Sequence, residues 1–451
     1  MTSGRFQMPA PDASTPVRFP NVVRDTLGNG LTVRVIPQDT VPVVTLALII
    51  QRGTSDDPAE HHGLASLTGD LLDEGAGSRD AIEVSEAFGR LGAELDLDVG
   101  PDATSLAVTT LARHLDAVLD LVADIVIRPR LEEPDFRRVR ELRTSRLRQL
   151  SRLPGAAADR AIASAVFADH PYGHGSLGTT AALARLTVDD ARSFWSAMYS
   201  PGEAAIIAAG AVDPDRVQRS VERAFGVWSG ASPRPFTAAP VAAVDPRVLL
   251  VDRPGAPQCE VRVGHFGPPR RVAGYHAIVT VNALVGGQFT SRINRRLREE
   301  KGVTYGARSA FDFRRAAGLF SCETSVQADR TAEAVEDILA ELEDVRREGA
   351  VEDDELDRAK ASLTRGYVRS FETASQLVRA AALLVTYGLD EGTFDRFVPG
   401  VDSLTANDVE GAARTFIRPA DATVVVVGDA SRCRNTLESL GRPVEVVSPE
   451  F

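Results

Sequence analysis

The sequence predicts an α+β fold made of two homologous halves, each a mainly antiparallel sheet with helices packed on one face. Three observations lead there. The first is size, because 451 residues exceed the roughly 150 that one core commonly organises. The second is an internal repeat. LTVDDARSFWSAMYSPGEAAIIAAGAVDP and LTANDVEGAARTFIRPADATVVVVGDASR align without a gap, and Leu186/Leu404, Thr187/Thr405, Asp190/Asp408, Pro201/Pro419 and Gly210/Gly428 all lie 218 apart. The third is a stretch after Trp228 with prolines at 233, 235, 240 and 246; it resists both helix and central strand and reads as an extended linker. The resulting organisation is a flexible lead-in over 1–20, a first half over 21–228, the linker over 229–246 and a second half over 247–451.

In the first half, GLTVRVIP and VPVVTLALIIQRG read as a strand pair, followed by a helix from Leu64 to Glu74. AELDLDVGPDATSLAVTTLA alternates across a Gly-Pro-Asp turn, as a hairpin does. Helical periodicity then covers His114–Val126, Pro134–Arg152 and Ala157–Ala168. The repeated segment closes the half with a Thr N-cap, an amphipathic helix, a Pro break and an apolar strand ending in Gly. The second half opens on the strand RVLLVD and continues with VRVGHFG, helices over Val272–Val285 and Phe289–Glu300, and strands over Val303–Phe313 and Gly318–Val326. Helices over Ala332–Arg347 and Asp353–Ser370 follow. The charge-rich stretches 132–152 and 330–369 are expected to be solvated faces.

Composition narrows the function. The net charge of −12 repels phosphate backbones and anionic lipid, which argues against nucleic acid as a partner. No run approaches the roughly 18 apolar residues of a membrane span, and the N-terminus lacks the apolar core of a secretory signal. A cytoplasmic location is expected, or a periplasmic one if a leader has been removed. Cys259, Cys322 and Cys433 show no CxxC spacing, so neither a disulfide framework nor a thiolate metal site follows.

The catalytic templates fail in turn. None of the seven histidines begins HExxH or HxxEH. Gly286 and Gly287 precede QFTSR rather than GK[ST], so they read as a tight helix-to-helix turn and not a phosphate cradle. No GxSxG elbow is present. His170 and His174 are four apart, but Pro171, Gly173 and Gly175 break any helix that would align them as metal ligands, which favours structural histidines in a loop. His61 and His62 read as capping or solvated residues of an exposed loop.

GLTVRVIPQDTVPVVTLALIIQRGTSDDPAEHHGLASLTGDLLDEGAGSRD, HPYGHGSLGT and GGQFTSRINRRLREEKGVTYG together resemble the pitrilysin-type, or insulinase, inverted-motif zinc peptidases over essentially the whole chain. In active relatives HxxEH follows Gly-Leu-Ala, its histidines and a distal Glu holding zinc and its own Glu acting as general base. The resemblance places Ser66, Gly69 and Asp70 at those three motif positions, and Ser145 or Arg146 at the distal one. With at most one donor, this chain is expected to hold no zinc, and Arg146 is a candidate to pair with Asp70 as a structural substitute. The second half keeps an Arg and a Tyr seven apart, Arg298 and Tyr305, which in relatives bind the substrate backbone and polarise the scissile carbonyl. Their donors suit a carbonyl oxygen on which negative charge develops.

The pattern resembles the non-catalytic subunit of bacterial heterodimeric members. That implies a homologous HxxEH-bearing partner carrying the zinc, a peptide substrate, and a chamber enclosed by both chains. The alternatives are a non-enzymatic scaffold and a peptide-binding protein that captures strands at a sheet edge.

Overall fold

The computed structural model describes residues 17–232, 240–242 and 244–447. The lead-in up to residue 16, linker positions 233–239 and 243, and residues 448–451 lie outside the described residues.

The first half runs β1 (Val23–Thr26), β2 (Thr32–Pro37), β3 (Val43–Ile50), α1 (Leu64–Asp70), the short pair β4 (Gly75–Ala76) and β5 (Arg79–Asp80), α2 (Ala81–Arg90), β6 (Leu95–Val99) and β7 (Thr104–Leu111). It continues with α3 (Leu115–Ile127), α4 (Glu133–Leu150), α5 (Pro154–Phe167), α6 (Thr180–Arg185), α7 (Val188–Met198), β8 (Ala204–Gly210) and α8 (Pro214–Phe225). The second half runs β9 (Val248–Asp252), β10 (Gln258–Gly267), α9 (Tyr275–Val285), α10 (Arg292–Asn294), β11 (Ala307–Phe313), β12 (Gly318–Gln327), α11 (Thr331–Asp344) and α12 (Asp353–Thr364). Then come α13 (Ala374–Tyr387), α14 (Gly392–Asp395), α15 (Phe397–Asp402), α16 (Ala406–Phe416), β13 (Thr423–Gly428), α17 (Ala430–Glu438) and β14 (Val444–Val447).

Each half builds a six-stranded, mainly antiparallel sheet, in the orders β1-β2-β8-β3-β7-β6 and β11-β12-β10-β13-β9-β14. Read from opposite edges, five strands correspond one to one. The sixth differs: β1 pairs antiparallel with β2, whereas β14 pairs parallel with β9. The repeat extends to single bonds. Thr187 with Asp190, and Thr405 with Asp408, form the same capping box, the Thr hydroxyl donating to the carboxylate at 2.6 Å and accepting from the Asp N–H at 3.3 Å in both.

The expected strand pairing needs one correction. β2 and β3 are strands, but not partners, because β8 lies between them, parallel to β2 and antiparallel to β3. The reason is burial: β8 reads AAIIAAG and is buried at every position, so it takes the centre of the sheet, where both faces are covered.

What covers those faces crosses between the halves. The inner face of the first sheet packs on α1, α3, α7 and α8 of its own half. Its other face, with Ile36, Ala47, Ile49, Ala205 and Ile207, packs on Leu377, Val378, Ala381 and Val385 of α13, which comes from the second half. Reciprocally, Ala158, Ile162, Ala165 and Val166 of α5 cover Leu249, Val251, Val425 and Val427 of the second sheet. Small side chains on α5, α13 and β8 let helix and sheet approach closely. The chain is anchored from Val17 onward. Phe19 packs edge-on to Phe371 at 5.4 Å and against Phe394 at 4.8 Å, and its N–H donates to Asp395 Oδ1 at 2.6 Å.

A polar latch completes the junction. The buried Tyr172 hydroxyl donates to Asp102 and accepts from Ala316 N–H at 3.1 Å, while Arg315 N–H donates to Asp102 Oδ2 at 2.9 Å. Tyr172→Phe leaves a buried carboxylate short of a donor and an N–H without an acceptor. It is expected to cost about 1–3 kcal/mol, read as a lower urea midpoint at unchanged slope.

His265 on β10 is also buried with both ring nitrogens committed: Nδ1 donates to Phe266 O at 2.9 Å and Nε2 accepts from Arg418 N–H at 3.0 Å. Burial pushes its pKa down to about 4. The unfolded chain therefore binds the extra proton between the ordinary imidazole value, about 6.5, and about 4. The contribution is intact above that window and lost as pH falls through it, by about 3 kcal/mol in full. Urea titrations at neutral and acidic pH should show this slope reduced in His265→Gln.

Candidate functional site

The first candidate centre lies at α1. Its N-terminus is held by Asp57, whose buried carboxylate accepts the N–H groups of Gly63 and Ala65, both at 2.6 Å; burial raises the Asp57 pKa to about 7. One turn on, Ser66 Oγ donates to Ser176 O, tying α1 to the loop after α5. Asp70 closes the helix.

Between Ser66 and Asp70 sits a guanidinium, but it belongs to Arg143 rather than Arg146. Arg143 Nε and Nη2 donate to Asp70 Oδ2 at 2.9 and 2.7 Å, and Nη1 donates to Ser66 Oγ at 2.7 Å. Phe136, Val139, Arg143 and Leu147 are the buried residues of α4, and this core-facing stripe carries a cation where an apolar residue would ordinarily stand. Ser145 and Arg146 fall on the exposed side. α4 is thus no purely solvated face; it inserts a charge into the site.

Gly69 is filled from the other side. A Cβ at this position would lie 2.5 Å from Val99 Cγ2 and 3.2 Å from Leu97 Cδ2, so β6 occupies the volume a general base would need. Two of the expected ligand positions are spent on a guanidinium, and among the described residues no group of three His, Cys, Asp or Glu side chains could hold a metal ion. The residues present do not fit a zinc ion.

The histidines lie nearby without forming a ligand set. His170 and His174 are in the loop after α5, as their glycines and proline imply, and His170 is buried. His62, expected as a capping or solvated residue, is partly exposed. Its ring stacks on that of His174 at 4.1 Å, and burial pushes the His174 pKa down to about 4.

The second candidate centre is built by the turn between α9 and α10. Gly286 and Gly287 are required for space: a Cβ on Gly286 would meet Ser309 Oγ at 2.5 Å, and one on Gly287 would meet Asn282 Nδ2 at 2.6 Å. The helix that follows is pinned by buried Arg292, which donates to both carboxylate oxygens of Glu355 at 2.7 and 2.6 Å. It then widens into a π-helical turn over Arg295–Glu300 that carries Arg298; such turns are frequent at functional sites.

Arg298 lies over the ring of Phe289, 4.3 Å from its centroid, and its Nη1 is shielded from solvent with no acceptor among the described residues. Tyr305, in the loop before β11, is 95% exposed and Phe289 is 63% exposed. Both line a cleft of about 570 Å³ whose floor includes Arg262, with Asp159 contributed by α5. Arg262 is ion-paired with Asp159 at 2.7 Å and Glu260 at 3.2 Å. The structure therefore links Arg298 to the Tyr305 cleft through Phe289, a residue the motif spacing did not single out. A large aromatic two residues after the paired glycines was the available signal.

Residues 33–180 match the family model described as Insulinase (Peptidase family M16), and residues 185–363 match the one described as Peptidase M16 inactive domain. The chain belongs to peptidase family M16. An uncharacterized zinc protease of Mycobacterium tuberculosis is 27% identical over 400 residues, 87% of this chain and 90% of the relative. One of Streptomyces coelicolor is 26% identical over 423 residues, 92% of this chain and 91% of the relative. Among solved structures, the peptidase M16 inactive domain from Pseudomonas fluorescens superposes with a TM-score of 0.84 at 21% identity, covering 91% of this chain and 98% of that one. A protease from Helicobacter pylori gives 0.85 at 20% identity, covering 90% and 99%. The M16 fold is thus shared along nearly the whole chain. No helix of the described residues is long and apolar enough to cross a membrane.

Proposed function

We propose that this chain is the non-catalytic, substrate-binding subunit of a two-chain zinc metallopeptidase. The observation that carries the reading is the asymmetry between the two centres. Arg143 and Val99 fill the place of metal and base in the first half, while in the second Tyr305 and Phe289 are exposed to the cleft and Arg298 lies over the Phe289 ring. The partner is a homologous chain with an intact HxxEH motif, and it holds the zinc. Arg298 and Tyr305 bind the peptide backbone and donate to the carbonyl oxygen as negative charge develops on it. The two chains enclose a chamber that admits unfolded peptides in the cytoplasm.

Co-expression with an HxxEH-bearing M16 chain from the same genome tests this. The expected result is a co-purifying pair whose peptidase activity exceeds that of the zinc-bearing chain alone. A pair of unchanged activity favours the scaffold reading, since a scaffold adds nothing to transition-state binding. Peptide binding without any partner, and no gain on pairing, favours the peptide-capture reading. One zinc per purified single chain sinks the proposal.

A further inference from the structure

We propose that Asn294 is a positioning residue that sets the Phe289–Arg298 unit and the Tyr305 loop at a fixed separation; this rests on the substrate-binding reading above. Asn294 is 3% exposed in a run whose other buried members are apolar Ile293 and Leu297 and the ion-paired Arg292. A buried amide is costly unless its donors and acceptor are used. Here both ends are used, and on different elements. Nδ2 donates to Phe289 O at 2.5 Å, and Oδ1 accepts from Ala307 N–H at 3.1 Å, two residues beyond Tyr305. Only one amide orientation satisfies both bonds.

The two elements are also tied farther along, where Ser309 N–H donates to Gly286 O at 3.0 Å; Asn294 makes the tie that reaches Phe289 itself and the residue two beyond Tyr305. Phe289 is in the Gly-rich turn, its exposed ring under the Arg298 guanidinium. The Tyr305 loop is fastened on its far side by Thr324, whose Oγ1 bonds Thr304 Oγ1 at 3.0 Å and Gly306 O at 3.1 Å. Asn294 fastens the near side. A substrate carbonyl held by Arg298 and Tyr305 together needs their spacing fixed before binding, and a buried two-ended amide does this without occupying the cleft.

The test is peptide binding by the purified full-length chain, followed as fluorescence anisotropy of a fluorescein-labelled β-casein peptide. Arg298→Ala and Tyr305→Phe come first. If neither weakens binding, the substrate-binding reading itself falls. If both weaken it, Asn294→Leu is expected to raise Kd about tenfold, and an unchanged Kd overturns the positioning role alone. The decisive readout is non-additivity. In the Arg298→Ala/Tyr305→Phe background, Asn294→Leu should cause no further loss, whereas an additive loss marks a merely structural residue and overturns the proposal. Should the Leu variant fail to fold, Asn294→Asp serves. It keeps the acceptor for Ala307 N–H and loses the donor to Phe289 O, so its effect should vanish in the Arg298→Ala background and persist beside Tyr305→Phe. Any other pattern overturns the proposal.

Discussion

Turnover by the reconstituted pair is expected to fall about 10²-fold when Tyr305 is replaced by Phe, with the two chains still associating. The magnitude is that of removing one preorganised donor from a developing oxyanion. Tyr305 is exposed and its hydroxyl makes no bond among the described residues, so the substitution should change stability by no more than about 0.5 kcal/mol. A lower kcat with little change in KM places the phenol on the transition state, and a change in KM alone places it on the ground-state peptide. Arg298→Ala should move both, because it removes a permanently charged donor and also frees the Phe289 ring from its cation. A Tyr305→Phe pair with wild-type kcat and KM would refute the composite site.

Writing the zinc motif back into the first half, as Ser66→His, Gly69→Glu and Asp70→His together, is expected to give a destabilised chain that still binds no zinc. Arg143 would lose both acceptors at once, and a buried cation stripped of its partner costs about 3–5 kcal/mol. The side chain introduced by Gly69→Glu would also start with its Cβ against Val99. Room for a metal requires Arg143→Glu and Val99→Ala as well. Elemental analysis and a thermal melt decide it, and one tightly bound zinc in the triple variant would show that Arg143 yields its place.

The same pair makes a sharper comparison. Arg143 is 5% exposed in its side chain and Asp70 45%. Asp70→Ala should therefore destabilise more than Arg143→Met, because the abandoned carboxylate can turn to water and the abandoned guanidinium cannot. Equal losses would contradict this.

Much of this architecture was legible in the chain. Residues 218 apart build matching capping boxes, because a cap depends on neighbours three residues away and survives any tertiary setting. The apolar runs of β3, β8 and β13 were legible as strands. The sequence did not name the covering helices, since α5 and α13 cross to the opposite half. Nor could motif spacing choose between Arg146 and Arg143, although the buried stripe of α4 could.

Family membership, the two-half repeat and the loss of the HxxEH donors follow from the residues alone, because they rest on local identity and short-range periodicity. Three features came from the folded chain instead: β8 separates β2 from β3, Arg143 and Val99 fill the lost metal site, and Phe289 joins Arg298 to the Tyr305 cleft. Each of those contacts joins segments brought together by packing, and the free energy that selects them is the burial and pairing available in that fold.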